Sequence, residues 1–255
     1  MTMRLIKLAV VIIMLSFGIG IVYADNSSSI GGMEFVITSR SLKSCTLKTI
    51  KYIDEPIVVV PDSVEIDGSK YCVTSLSKGV FYDFELKDQI KSVVLPKGII
   101  ELSSKAFAGC ESMESITLPK SLKKIGDSAF NGCSSLKSVD LPVGLTTIGE
   151  WAFYDCSSFA SITIPMGIIA LEPCTFSGCR SLTTVNFALP SKLQRIDDAV
   201  FDDCVSLTSI KIPKSCKTMS LFAFHDSALK SLYIGRDTQF VGLNSLPEGC
   251  QVHYY

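Results

Sequence analysis

The chain has 255 residues, 47% hydrophobic and 19% charged, with 24 basic residues against 25 acidic ones for a formal net charge of -1. So much apolar character with so little net charge excludes a disordered chain. The charge balance excludes the basic patch of a nucleic-acid binder, since runs such as Lys123-Lys124 are trivial. The length allows one or two domains with a real core.

At the amino terminus, Arg4 and Lys7 precede an apolar run over residues 8–22, and Val22-Tyr23-Ala24 closes it. A charged start, an apolar centre and a small residue at the end are the parts of a cleaved signal peptide. The run falls short of the ~20 residues a bilayer-spanning helix needs. Residues 1–24 are therefore predicted to be removed on export, an uncleaved anchor being the alternative, and no stable membrane span is expected after cleavage. Losing Arg4 and Lys7 moves the net charge from -1 to -3. The first cysteine is Cys45, so a lipid-modified amino terminus is not expected.

Residues 25–32, DNSSSIGG, read as a disordered linker, and Asn26-Ser27-Ser28 is a glycosylation sequon with meaning only in a eukaryotic secretory host. Residues 33–70 alternate apolar and polar side chains around Asp67-Gly68, the pattern of β-hairpins. They are predicted to form an amino-terminal β cap over the first turn of a repeating region.

From residue 71 to 235 the chain repeats. SMESITLPKSLKKIGDSAFNGC, SSLKSVDLPVGLTTIGEWAFYDC and SSFASITIPMGIIALEPCTFSGC superpose as L-x-x-I-x-L-P, then L-x-x-I-G, then A-F-x-x-C. Phe81, Phe107, Phe130, Phe153, Phe176, Phe201 and Phe224 keep the register, which gives about seven turns. Cys110, Cys133, Cys156 and Cys179 recur every 23 residues, and Cys204 comes 25 later because of a two-residue insertion near residues 187–192.

Within one turn, Leu136, Val139 and Leu141 mark a short strand whose Ser138 and Asp140 face the other way. Proline then ends the strand, where its missing N–H does no harm. A second apolar element comes next, with Leu145, Ile148 and Gly149, and then a compact turn through Ala152-Phe153 to Cys156. A 23-residue unit cannot bury its own apolar face, but stacked units share a continuous core. Residues 236–255 are predicted to cap the far end.

These repeats resemble the BspA-like leucine-rich repeat family of bacterial and protist surface proteins. The LxxIxLP…IGxxAFxxC unit recurs in phase over residues 71–235; the pattern weakens at Thr175 and Ser227, which stand where alanine and cysteine are expected. The resemblance implies a curved leucine-rich repeat solenoid, α/β by convention but built mostly of short parallel strands with turns or single helical turns. It also implies a secreted or cell-surface module, non-enzymatic, that adheres to host or extracellular-matrix proteins. A structural or scaffold role in the periplasm or cell envelope is the alternative.

The cysteine column has three readings. Parallel side chains in one column point at the core rather than at one another, Phe84 and Ser227 share the slot, and five thiols cannot all pair. Free cysteine packs as a small hydrophobe, so a packing column is preferred over disulfides. Zinc sites want closely spaced pairs such as C-x-x-C with histidines. The chain has no C-x-x-C and only His225 and His253, so no metal and no cofactor are expected. Cys216 takes a leucine slot and reads as core. Cys174 falls nearer solvent and is the best candidate for a reactive thiol, while Cys45, Cys72 and Cys250 lie in the cap regions, where a disulfide is easier to form.

No catalytic residues are expected either. His225-Asp226-Ser227 holds triad residue types, but triads assemble across a fold rather than in adjacent positions.

The outward slots of the first strand make two surface columns. One is uniformly small: Ser92, Ser115, Ser138, Ser161, Thr184, Ser209 and Ser231. The other varies: Val94, then Thr117, Asp140, Thr163, Asn186, Lys211 and Tyr233. At about 4.8 Å per turn this face is roughly 30 Å long, enough for an interface of standard size. The variable positions Thr117, Asp140, Thr163, Asn186, Lys211 and Tyr233 are the predicted protein-binding face. Trp151, the one tryptophan, is a candidate hot spot.

Overall fold

The computed structural model describes residues 21–23, 27–242 and 246–255. The predicted signal peptide therefore lies outside the described residues, apart from Ile21–Tyr23, which pair antiparallel with Ser27–Ser29.

The repeats wind into a curved β-solenoid of about seven turns with almost no helix. Each turn has three sides. On the first side run the short strands Ser92–Val94, Ser115–Thr117, Ser161–Ile164, Thr184–Phe187, Ser209–Lys211 and Ser231–Ile234. Alternation sets their facing: Val93, Ile116, Ile162, Val185, Ile210 and Leu232 are buried, and the residues between them point outward. On the second side the short strands Glu101–Leu102, Lys124–Ile125 and Thr147–Ile148 form one parallel ladder. Ala170–Leu171, Arg195–Ile196, Thr218–Ser220 and Gln239–Val241 form another.

The third side is the compact turn around each phenylalanine, and it too is hydrogen bonded from turn to turn. The amide of Phe107 donates to the Ala129 carbonyl (2.8 Å), Phe130 to Ala152 (2.8 Å), Phe153 to Thr175 (2.9 Å), Phe176 to Val200 (2.9 Å) and Phe201 to Ala223 (2.7 Å). These bonds bring the rings over one another. Centroids from Phe107 to Phe224 lie 5.1–5.8 Å apart at interplanar angles of 5–13°. The rings are fully buried, so the column combines large apolar burial with stacking.

Salt bridges cross the surface rungs as well: Lys124–Glu101 (2.8 Å), Lys137–Glu114 (2.8 Å) and Arg195–Glu172 (3.1 Å) each link residues 23 apart. Being exposed and screened by water, these pairs add little to stability.

Three sequence expectations need correction. Residues 27–30, expected within a disordered linker, form the strand Ser27–Ile30, paired antiparallel with Met33–Ser39. The turn between them is Gly31-Gly32, with φ of 51° and 79°. Two central residues at positive φ make the tight hairpin turn that matches strand twist, so a stretch rich in serine is ordered by its glycines.

The boundary at residue 70 is also displaced. The cap does contain the hairpin Ser63–Ile66 with Ser69–Leu76, but Ile57–Val59 pairs in parallel with Ser92–Val94 and is the first rung of the solenoid. Cap and repeats share one hydrophobic core, from Phe35 and Tyr71 through to Ile234.

At the other end, Gln251–Tyr254 pairs in parallel with Ser231–Ile234. The segment expected to be a separate cap therefore adds another rung. Among the described residues no helix is long and apolar enough to cross a membrane.

The ring column predicts where stability lies. Phe153 packs against Phe130, Phe159 and Phe176. Replacing it by alanine should cost about 3–5 kcal/mol in urea unfolding. Amide exchange should rise first in the turns on either side, because each turn touches only its neighbours. A loss under about 1 kcal/mol would show that the ring column is not a main source of stability.

Candidate protein-binding face

All six predicted face residues, Thr117, Asp140, Thr163, Asn186, Lys211 and Tyr233, are exposed on the first side of the solenoid. Strand register holds neighbours in line: Thr163 opposes Asn186, and Lys211 opposes Tyr233. The small column beside them is partly knitted together, with Ser115 Oγ donating to Ser92 Oγ at 3.0 Å.

The face is not continuous. Residues 138–141 belong to no sheet, although their sequence matches the strand motif. Between this turn and the next, the second-side ladder is also interrupted, since Thr147–Ile148 and Ala170–Leu171 fall in different sheets. The two turns stay joined on the third side, where Trp151, Phe153 and Asp155 donate to Pro173, Thr175 and Ser177. The interruption coincides with departures from the repeat. Glu172 stands where Gly126 and Gly149 stand, and a Cβ on Gly149 would lie 2.2 Å from Asp127 Oδ1.

A groove of about 460 Å³ opens on the face at this place. Asp140, Thr163 and Asn186 line it together with Val143, Met166 and Leu189. Structure thus gathers three of the six predicted residues into one concavity.

Lys211 and Tyr233 belong to a second cluster at the carboxy-terminal end. The Tyr233 ring stacks on His253 at 4.6 Å, and Lys211 Nζ lies 4.6 Å from the Tyr255 ring centroid. Lys214 Nζ lies 5.2 Å from the same centroid, a cation–π arrangement. Thr117 stands apart from both, opposite Val94 on the other side of the interruption.

Sequence reasoning misses His253 and Tyr255, because residues 236–255 read as a cap. The available signal is Gln-Val-His-Tyr, which repeats the alternation of Ser-Leu-Tyr-Ile but, like it, lacks the proline that ends most of the earlier strands. It misses Val143 and Leu189 because they stand at the corner after each strand rather than in a strand slot.

Trp151 lies on the third side, away from this face. Its backbone sits at φ 59°, close to the values of Lys105, Ser128, Cys174 and Ala199 in the same slot of other turns. That left-handed conformation is unusual for a bulky residue, and its ring packs on Tyr154 at 4.9 Å. Three turns further along the same side, His225 Nδ1 lies 2.9 Å from Asp202 Oδ1 and 3.5 Å from Asp226 Oδ2. These three could offer a metal one atom each, but the hydrogen-bond contact of His225 with Asp202 already accounts for their placement. Ser227 Oγ turns away and donates to the Phe224 carbonyl at 2.7 Å, so His225, Asp226 and Ser227 form no triad.

The cysteines are all free thiols. Cys133 donates to the Phe107 carbonyl (3.2 Å), Cys156 to Phe130 (3.1 Å), Cys179 to Phe153 (3.2 Å) and Cys204 to Phe176 (3.3 Å). Each thiol thus reaches back one turn to the residue that carries the stacked ring. In the cap, Cys45 is buried and Cys72 exposed, and they sit on opposite faces of adjacent strands. Cys174, expected to be the most reactive, is half-buried. Burial pushes its thiol up, and Asp202, Asp198 and Glu150 push it further. The exposed cysteine is Cys72.

Fold and face together define a leucine-rich repeat solenoid. The BspA-type leucine-rich repeat region matches the chain in six copies over residues 74–188 and 184–249, and the chain belongs to that family. None of the curated proteins matches it. Among solved structures it is similar to a leucine-rich repeat protein from Bacteroides ovatus, with 24% identity over 89% of this chain and 67% of that one, at a TM-score of 0.64. It is similar too to a leucine-rich cell surface protein from Faecalibacterium prausnitzii, with 22% identity over 91% of this chain and 77% of that one, at a TM-score of 0.62. The T. pallidum leucine-rich repeat protein shares 24% identity over 70% of this chain and 89% of its own, at a TM-score of 0.54. At these identities the likeness is one of fold. The repeats place the chain among proteins of the protein-interaction or surface-repeat kind.

The buried thiols predict alkaline sensitivity. Burial pushes Cys110 up to about 12 from an ordinary 9.0. It raises Cys133, Cys156, Cys179 and Cys204 strongly as well. The folded chain keeps these protons while the unfolded chain releases them above about pH 9. Their contribution is therefore complete below that pH and is lost as pH rises toward the folded values. Each thiol gives a slope of up to about 1.4 kcal/mol per pH unit. In reducing buffer the urea midpoint should be nearly level from pH 7 to 8 and fall steeply between pH 9 and 11. Cys156→Ala with Cys179→Ala should flatten that fall; an unchanged slope would show that these thiols are not its source. Iodoacetamide should modify Cys72 first in the native protein and reach the column only after denaturation.

Proposed function

We propose that this chain is an exported, non-enzymatic repeat protein that binds protein partners through the first side of its solenoid, as an adhesion module at the cell surface. Host and extracellular-matrix proteins are the partner class. One observation carries this reading. The core-facing columns are monotonous, whereas the exposed column changes character along the solenoid: Thr117, Asp140, Thr163, Asn186, Lys211, Tyr233. Packing constrains the first kind of column and leaves the second free for recognition. The charged start and apolar run of residues 1–24 support export, and a cell surface protein is among the structures that share the fold.

Partner-binding energy concentrates in a few side chains, with tryptophan, tyrosine and arginine prominent. The full chain should bind saturably to at least one member of a panel of immobilised extracellular-matrix and host-cell proteins. Changing Asp140, Lys211 and Tyr233 together to alanine should weaken that binding about tenfold or more, an effect of about 1.4 kcal/mol. The urea midpoint should fall only slightly, since all three side chains are exposed and what is lost is the Tyr233–His253 stack and the Lys211–Tyr255 contact at the carboxy-terminal end. Correctly folded protein that binds nothing on the panel would count against adhesion and favour a scaffold in the cell envelope.

A further inference from the structure

The groove on the interrupted face combines features that the rest of the solenoid does not. Its first feature is backbone. Residues 138–141 run along the face in strand sequence but pair with neither neighbouring strand. Their main-chain donors and acceptors make no hydrogen bond to the flanking turns, which leaves them available to the main chain of a bound segment.

Its second feature is an apolar rim. The position after each strand's proline is Lys97, Lys120 and Lys214 in three turns, and Arg236 holds the corresponding place near the end. In the two turns that flank the groove it is Val143 and Met166 instead. The two-residue insertion then adds Leu189 to the same rim. Val143 is 87% exposed and Leu189 79%. Single exposed aliphatics are ordinary. Here aliphatics replace cations at a repeat position, and an insertion delivers another to the same place.

Its third feature is charge. Asp140 is the one charged side chain among the lining residues, and Ser138, Ser161, Thr163 and Asn186 supply neutral polar groups around it. A volume near 460 Å³ lies within the ~300–1,000 Å³ usual for pockets that hold a ligand.

We infer that this groove seats an extended peptide segment of the partner, one that presents a large aliphatic side chain next to a lysine or arginine. The aliphatic group covers Val143, Met166 and Leu189, the cation meets Asp140, and the peptide backbone pairs with residues 138–141. This deepens the proposed function and rests on it for the partner being a protein.

The test uses the isotope-labelled full chain and three blocked dipeptides: N-acetyl-Leu-Lys-amide, N-acetyl-Leu-Glu-amide and N-acetyl-Ser-Lys-amide. The Leu-Lys probe should shift amide resonances of residues 138–141 and 188–189, with at least fivefold tighter binding than the other two. Val143→Asp with Leu189→Asp should weaken it fivefold or more, and Asp140→Lys should reverse the order of the lysine and glutamate probes. All three positions are exposed or on the rim, and unchanged resonances from the Phe107–Phe224 column would certify the fold. Equal shifts from all three probes, shifts away from the groove, none up to the solubility limit, or no response to Val143→Asp with Leu189→Asp would each overturn the inference. Whole-protein binding separates the two proposals. If the Asp140, Lys211 and Tyr233 variant loses its partner while the Val143 and Leu189 variant keeps it, the face stands and the groove falls. If the probes bind selectively but no protein on the panel binds, the adhesion reading falls and the groove stands.

Discussion

Five successive phenylalanine amides on the third side, Phe107 to Phe201, each give their hydrogen to a carbonyl of the following turn, and that one bond sets the pitch of the molecule. From Phe107 to Phe201 the bond recurs at 2.7–2.9 Å. With the backbones held at that spacing, the rings have nowhere to go but over one another. The cysteine column is fixed by the same geometry. A side chain three residues after phenylalanine returns to the core directly beneath the previous turn's phenylalanine carbonyl. A small group with a weak donor fits there, and cysteine is such a group. The regularity of the column is thus a consequence of pitch.

The rigidity of the third side explains why the other two sides are free to vary. The chain takes a step of 25 residues instead of 23 between Phe176 and Phe201, yet the amide of Phe176 still reaches Val200. On the second side, Ala170–Leu171 still pairs with Arg195–Ile196. The two extra residues are absorbed on the first side, where Thr184–Phe187 and Ser209–Lys211 fall in separate sheets and Leu189 projects. Nearer the amino terminus the strand ladder is already open at residues 138–141. Irregularity accumulates on the side that the core does not need to be regular, which is also the side where variable surface residues sit.

Much of this is legible in the sequence because each turn must satisfy the same core. The seven phenylalanines mark the turns, the prolines mark strand ends, and the alternation around Ser138 and Asp140 separates inside from outside. Other elements escape that reasoning, each for a physical cause. Ile57-Val58-Val59-Val60 with Pro61 after it is itself the strand-and-proline signature. It is obscured because the hairpin of Ser63–Ile66 with Ser69–Leu76 separates it from the next strand. The serine-rich stretch before Met33 is ordered by Gly31-Gly32, whose positive φ is a property of two residues rather than of composition. At the other end, Gln251–Tyr254 lacks both the proline that marks most of the earlier strands and the phenylalanine turn that follows them.

The candidate site is legible only in part, and for a reason that bears on repeat proteins generally. A periodic sequence reveals columns, because a column is what periodicity preserves. A binding site on a solenoid is made where periodicity fails, and such a failure has no template in the neighbouring turns. Spacing alone puts Asp140, Thr163 and Asn186 in one line, but not in one concavity. The concavity depends on a ladder that matches the strand motif and still does not close. What the repeat does offer is a contrast: lysine after the proline in Lys97, Lys120 and Lys214, and Val143 and Met166 in between. An apolar residue there costs solubility and contributes nothing to the core. At two successive turns, joined by Leu189, it forms the surface that the inferred peptide would cover.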